Sequence, residues 1–269
     1  MRDLLRDLPW RRTRDPWAVL VSEVMLQQTQ VSRVAPIWDA FIQRFPTVSA
    51  CADAAQAEVV KAWAGLGYNR RAVNLHRAAV LMEGVVPRDL DALLALPGIG
   101  AYTARAVLVF AFEEDRAVVD TNIARVLSRR AGRPLTAKEL QREADALVPA
   151  GRAWEWNQRL MDLGAVVCTA RDPACDRCWF REGCQWDGEV WPTQDPWTSR
   201  KQSAFAGSDR QGRGRLVTTL RERTVPVCDL ASVMGWPDDP ARAERVAAQL
   251  ADEGMVEITQ AVMRLTISL

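Results

Sequence analysis

An all-α amino-terminal domain followed by a small α+β module of winged-helix type is the architecture this sequence predicts, on three observations. Apolar residues recur three and four positions apart from the N-terminus to Ala165, with no convincing alternating run among them. Turn-forming residues fall where those helices should stop, at Pro46, Gly65 to Gly67, Pro87, Pro97 to Gly100, Gly132, Pro134, Pro149 and Gly151. From Ser208 onward the chain changes character, with three short helical segments followed by Gly254 and two brief alternating runs.

Taken in order, the periodicity places helices over 17–28, 31–45, 54–66, 71–83, 90–96, 103–112, 122–130 and 138–147. Four cysteines crowd between Cys168 and Cys184, closing a first domain at 1–186. The stretch WDGEVWPTQDPWTSR is irregular and bears Pro and Trp, which reads as a linker, 187–207, running over that domain. Helices over 210–223, 227–234 and 240–252, then strands over 256–259 and 262–267, make the winged-helix-like pattern of 208–269. A chain of 269 residues with 48% hydrophobic content has room for two such domains.

Composition excludes several classes. No stretch approaches the roughly 18 apolar residues of a membrane helix, and MRDLLRDLPWRRTRD has no apolar signal core, so a soluble cytoplasmic protein is expected. Clustered cysteines, with Cys51 and Cys228 standing apart, argue against a disulfide framework. Basic and acidic residues balance at 35 and 34; residues 1–186 hold 25 against 22, and 187–269 hold 10 against 12. Within 200–223, however, Arg200, Lys201, Arg210, Arg213, Arg215, Arg221 and Arg223 face only Asp209 and Glu222. This stripe fits either a phosphate-binding face or a solvated linker and helix.

Three motifs carry chemistry. Cys168-x6-Cys175-x2-Cys178-x5-Cys184 brings four thiols into one short segment, suited to one soft metal centre, and the spacing admits structural zinc or a [4Fe-4S] cluster. Leu96-Pro-Gly-Ile-Gly100 between helical segments is a helix-hairpin-helix signature, whose backbone amides at a helix N-terminus suit a phosphate. Glu23 and Asp120 are acids on apolar backgrounds, where burial raises a carboxyl pKa toward that of a useful general acid; Asp120 also reads as the N-cap of the next helix.

Pro9-Trp10, Ser22-Glu-Val-Met-Leu-Gln-Gln-Thr-Gln30, Gly65-Leu-Gly-Tyr68, Asn74-Leu-His76, the 96–100 hairpin, Val119-Asp120, Asp162-Leu-Gly-Ala165 and the cysteines stand in the order seen in helix-hairpin-helix DNA glycosylases. Over residues 4–186 the chain resembles the MutY branch, adenine glycosylases acting opposite 8-oxoguanine. The resemblance implies a monofunctional enzyme of base excision repair that flips adenine from double-stranded DNA and hydrolyses its N-glycosidic bond. It acts as a monomer, without a membrane, and carries a [4Fe-4S] cluster on Cys168, Cys175, Cys178 and Cys184.

By the same resemblance Glu23 protonates adenine N7, Asp120 stabilises the oxocarbenium-like sugar or forms a transient adduct, and Asn122 orients Asp120 or the water. Tyr102 occupies the position of a Schiff-base lysine in the endonuclease III branch; a phenol forms no imine, so strand cleavage is expected to be weak or absent. Tyr68 wedges into the stack, while Gln28, Thr29 and Leu66 contact the opposite base or fill the gap. Gly98 and Gly100 hold a phosphate, and Trp10 and Arg11 border the adenine pocket. His76, the only histidine, reads as a helix-face hydrogen-bonder.

Departures from the pattern are informative. Asn69 follows Tyr68 where relatives often carry a second aromatic, Thr121 replaces a frequent glycine, and the eight residues before Pro9 fall short of the usual leading helix, as in a truncated start. Residues 187–269 are too short and too helical for the pyrophosphohydrolase-like domain with which MutY proteins recognise 8-oxoguanine, as in short-tailed actinobacterial members. That leaves the catalytic domain, the winged-helix-like module or the loop from Phe205 to Arg210, with Phe205 and Ser208, to recognise 8-oxoguanine. The alternatives are excision of thymine or uracil opposite guanine, and a cluster-bearing DNA-binding protein without catalysis; Glu23 favours adenine, because N7 protonation assists only a purine.

Overall fold

The structure is a computed structural model and describes residues 5–186, Gly188 and 204–266. Most of the 187–207 linker, Arg200 and Lys201 of the basic stripe, and Ile267 of the expected hairpin lie outside the described residues. Two compact units are present. One comprises Met1–Glu23, Arg88–Ala95 and Ile99–Arg200; the other comprises Val24–Pro87, Leu96–Gly98 and Lys201–Leu269.

The first unit contains most of α1 (Pro16–Leu26) together with α6 (Leu90–Leu94), α7 (Ala101–Phe110), α8 (Thr121–Arg130), α9 (Ala137–Ala146) and α10 (Ala153–Val166). Val19, Val109, Phe110, Ile123, Leu127, Leu140, Leu160 and Leu163 form its core. Side-chain caps start the helices where the chain offers them: Asp89 before α6, Asp120 before α8, and Thr136 with Glu139 as a reciprocal capping box before α9. Helix α10 is absent from the sequence expectation. Its N-cap is Arg152, which supplies no capping oxygen, and Pro149 and Gly151 just upstream read as breakers.

The second unit carries α2 (Val31–Arg44), α3 (Val48–Ala52), α4 (Gln56–Ala62) and α5 (Arg70–Leu81), followed by the C-terminal elements. Phe41 and Trp63 meet edge to face in its core, with ring centroids 5.9 Å apart. Helices α11 (Asp209–Leu220), α12 (Leu230–Met234) and α13 (Pro240–Asp252) enclose Leu216, Val217, Val246 and Leu250. Strands β2 (Val256–Ile258) and β3 (Val262–Leu265) pair antiparallel, and a two-residue β1 (Val225–Pro226) adds to β3, giving the order β1-β3-β2. The C-terminal elements are pinned to the helices before them: Gln56 Nε2 donates to Gly254 O at 2.6 Å, and Arg221 donates to Val60 O and to Asn69 Oδ1.

Candidate active site

The first unit brings Glu23, Tyr102, Asp120 and Asn122 together. Helix α1 is apolar on nearly every side, with Trp17 to Val21, Val24 and Met25 all buried, so Glu23 is carried inside at 5% exposure. Burial pushes its carboxyl up to about 7, reinforced by the charge of Asp120 and opposed by a hydrogen bond from Tyr102 and by the field of Arg11. Burial also raises the Tyr102 phenol well above its ordinary value, as does the neighbouring Glu23 charge, so Tyr102 stays protonated and donates to Glu23.

Asp120 is fixed by the helix it caps. Its Oδ1 accepts from Ile123 N at 2.7 Å and its Oδ2 from Asn122 Nδ2 at 2.9 Å. Burial raises its pKa, while the N–H donors and Arg125 work in the other direction. Asn122 is itself oriented: Arg125 Nη2 donates to its Oδ1 at 2.9 Å, which turns the amide nitrogen toward Asp120. The same guanidinium donates to Gly164 O at 2.6 Å and, through Nε, to Cys168 O at 2.8 Å. Gly164 has no side chain to spare: a Cβ there would lie 2.6 Å from Asn122 Cβ and 2.9 Å from Asn122 O.

Arg11 makes a bidentate pair with fully buried Asp162, at 2.7 and 2.9 Å, and Arg6 donates to the same carboxylate. Burial alone would raise Asp162, but Arg11 and Arg6 outweigh it and hold it below the usual carboxylate range. Arg11 therefore reaches Glu23 through its charge while its guanidinium hydrogen bonds go to Asp162 and to the Arg6 carbonyl. Trp10 is buried in a short 3-10 turn, Pro9–Arg12. Gly100, the N-cap of α7, would meet nothing within 4 Å if it carried a Cβ, leaving space at an N-terminus that no side chain caps.

Gln28, Thr29, Leu66, Tyr68 and Gly98 belong to the second unit. Gln28 and Tyr68 take left-handed backbone conformations, at φ 56° and 45°, and Tyr68 is 43% exposed between Gly67 and Asn69. One guanidinium holds these loops: Arg71 donates to the carbonyls of Val24, Met25, Gln27, Leu66 and Gly67 and to Thr29 Oγ1. Leu66 departs from its expected place. Its side chain is 2% exposed and part of the core, because the glycines flanking it turn the chain inward there. Gly98 has φ 78°, and a Cβ would lie 2.9 Å from Asn74 Cβ, so the hairpin packs on Asn74 only with glycine. His76 is buried, with Nε2 2.9 Å from Ala54 O, and burial lowers its pKa.

Cys168, Cys175, Cys178 and Cys184 line one cavity of about 140 Å³ in the first unit, together with Arg129, Arg130, Val167 and Phe180. A zinc ion would draw its sulfurs to about 2.3 Å from one point; no group of donor side chains converges in that way among the described residues. Arg129 Nη1 lies 3.3 Å from Cys168 Sγ, a cation suited to the charge of clustered thiolates. Arg71 and Arg125 are not picked out by the sequence, and Arg11 is expected at the adenine pocket with no sign of its pairing to Asp162. An arginine within a helical pattern reads as a solvated face, although Arg71 lies three residues after Tyr68 and Arg125 three after Asn122.

A buried acid near neutral pKa, an anchored carboxylate beside it and an uncapped hairpin helix together suit the cleavage of a base from DNA. Residues 21–150 match the family of HhH-GPD superfamily base excision DNA repair proteins. The chain is 48% identical to an adenine DNA glycosylase of Mycolicibacterium smegmatis over 94% of this chain and 89% of that protein, and 42% identical to one of Mycobacterium tuberculosis over 94% and 86%. A solved thermostable thymine-DNA glycosylase superposes with a TM-score of 0.64 and 36% identity, over 67% of this chain and 88% of that one. The chain belongs to the adenine DNA glycosylase family within that superfamily.

Proposed function

We propose that this protein binds double-stranded DNA as a monomer, flips out adenine mispaired with 8-oxoguanine or guanine, and hydrolyses its N-glycosidic bond. The observation that carries this reading is the pairing of Glu23, held near pKa 7, with Asp120, held by two N–H donors. Cleavage of a glycosidic bond needs a proton on the leaving base and negative charge beside the developing sugar cation. Glu23, whose raised pKa favours its protonated form, gives its proton to adenine N7. Asp120 faces the sugar, either as a stabilising anion or as the acceptor of a transient covalent bond that water then breaks. Tyr102 holds Glu23, and Asn122 orients Asp120 or the attacking water. The lysines nearest to Tyr102 in the chain are Lys61 and Lys138, far from the hairpin motif on either side, so the strand stays intact after base release.

Tyr68 wedges into the duplex, with Gln28 and Thr29 beside it on the loops that Arg71 clamps, and Gly98 and Gly100 receive a phosphate. Buried Trp10 and Arg11 support the base pocket from behind, and Leu66 supports the wedge loop from within the core. Catalysis belongs to residues 1–186, joined by the 187–207 linker to the module of 208–269. The four cysteines hold a [4Fe-4S] cluster; it supplies a covalent anchor for the 168–184 loop, whose Cys168 carbonyl is a partner of Arg125.

Single-turnover base release from a duplex panel tests the reading. The expected order is adenine opposite 8-oxoguanine first, adenine opposite guanine next, and adenine opposite cytosine far behind, with thymine and uracil opposite guanine inert. The likeness to a thymine-DNA glycosylase makes pyrimidine release the outcome that would replace adenine as the substrate.

A further inference from the structure

Much of the basic stripe at 200–223 goes into internal hydrogen bonds. Arg213 pairs with Glu253, Arg215 donates to Met234 O, and Arg221 reaches the residues around α4 and α5. Arg221 Nε donates to Val60 O at 3.3 Å, and its Nη2 donates to Asn69 Oδ1 at 2.9 Å. The guanidinium is half-buried, no carboxylate pairs with it among the described residues, and burial lowers its pKa. Desolvating a cation without a counter-charge costs more than an apolar contact at the same place would. Arg221 is therefore a poor choice for merely fastening α11 to the helices before it.

Its partner Asn69 lies where the Tyr68 turn becomes α5. Gly65, Gly67 and Tyr68 have φ of 89°, 70° and 45°, so three of four successive residues are left-handed. Tyr68, which has a Cβ, stays in that region only because its surroundings impose it. Arg71 holds the turn from one side through Leu66 O and Gly67 O. Asn69 is the N-cap of α5, a position at which an Asn oxygen ordinarily accepts from the first turn of the helix. Here its side chain makes no capping bond, and Oδ1 receives Arg221 instead. Relatives often carry an aromatic at this position, which has no amide oxygen to offer. The Phe205 turn, by contrast, is bonded within its own module. Ser208 Oγ donates to Phe205 O at 2.7 Å and accepts from Gln211 N, and Arg242 donates to Gly207 O at 2.8 Å, leaving Phe205 59% exposed.

We propose that Arg221, acting through Asn69, is a positioning residue for Tyr68, so that the C-terminal module presets the turn with which the enzyme opens the duplex. The module is a brace for the intercalating side chain, and its effect precedes base release. This rests on the reading of Tyr68 as the wedge, which Tyr68→Ala tests by itself.

The experiment uses the full-length protein and a duplex in which 2′-fluoro-deoxyadenosine faces 8-oxoguanine, with 2-aminopurine next to the mispair to report unstacking. The fluorine disfavours the sugar cation and keeps the base attached. Fluorescence should rise at saturating wild-type enzyme and should not rise with Tyr68→Ala. Asn69→Ala and Arg221→Ala should each lose about half of the rise or more, and each should weaken binding by about tenfold. The double variant N69A/R221A should be no worse than Arg221→Ala, because the two side chains act through one bond. Arg213→Ala, which breaks a different bond of the same module, should keep the full rise. A wild-type rise in Asn69→Ala, additive losses in the double variant, or an equal loss in Arg213→Ala overturns the positioning role. A Tyr68→Ala enzyme that unstacks the duplex as the wild type does overturns the wedge reading instead.

Discussion

Replacing Gly164 with alanine is a one-carbon test of how the site is held. In an exposed helix interior this change stabilises by about 1 kcal/mol. Here the new Cβ would lie 2.6 Å from Asn122 Cβ and 2.9 Å from Asn122 O. Carbon pairs rest at roughly 3.5–4.0 Å, so the first turn of α8 must retreat from α10 by about 1 Å. Overpacking of this kind costs about 1–3 kcal/mol, enough to cancel the helical gain and leave the protein no more stable than before. The larger effect falls on chemistry, because Asn122 and Asp120 both ride on that turn. A displacement of about 1 Å in a reacting group costs up to about 100-fold in rate. Single-turnover adenine release at saturating enzyme should fall by about 10- to 100-fold, with affinity for an abasic-analogue duplex within about threefold and the cluster absorbance unchanged. A G164A enzyme that works at full rate, folded and brown, would refute the claim that the α8–α10 contact sets the catalytic geometry.

Other perturbations separate the roles further. Asp120→Asn keeps an acceptor for Ile123 N and preserves the helix cap, so duplex binding should persist while base release drops by about 100-fold or more; normal turnover would remove Asp120 from the chemistry. In the proposed reaction Glu23 acts in its protonated form, and its raised pKa means that this form is lost as pH rises through about 7. The single-turnover rate should therefore fall about tenfold per pH unit above that point in the wild type, and Glu23→Gln should be slow and without that limb. The purified protein should be brown, absorbing at ~400 nm. Cys184→Ser should bleach it and raise amide exchange in the 168–184 loop, whereas a colourless wild type with one zinc per chain would contradict the cluster.

Much of the site could be read before any coordinates. Glu23 stood out because an acid in the run Ala18 to Leu26 has no reason to be buried without a task, and Asp120 because its place before a helix served a cap and a carboxylate alike. What escaped depends on contacts distant in sequence. Arg125 matters because it joins Asn122 to Gly164 and Cys168, which lie on and beyond another helix, and its place three residues after Asn122 does not reveal those partners. Arg71 is similar, serving carbonyls on two loops. Helix α10 escaped for want of a capping oxygen at Arg152, and β1 because two residues carry no alternation. Ser208 and Phe205 looked equivalent in sequence; hydrogen bonding makes one of them scaffold and leaves the other exposed.

The dual use of Asp120 limits how this lineage can decay. A descendant relieved of catalysis would still need an oxygen at position 120 to satisfy Ile123 N, since the alternative frays α8 at a cost of about 1 kcal/mol. Silent copies should therefore settle on Asn, Ser or Thr there rather than Ala, and would keep the folded appearance of the wild type. A hydroxyl or amide at that single position, in an otherwise intact sequence, is then the signature of a retired enzyme.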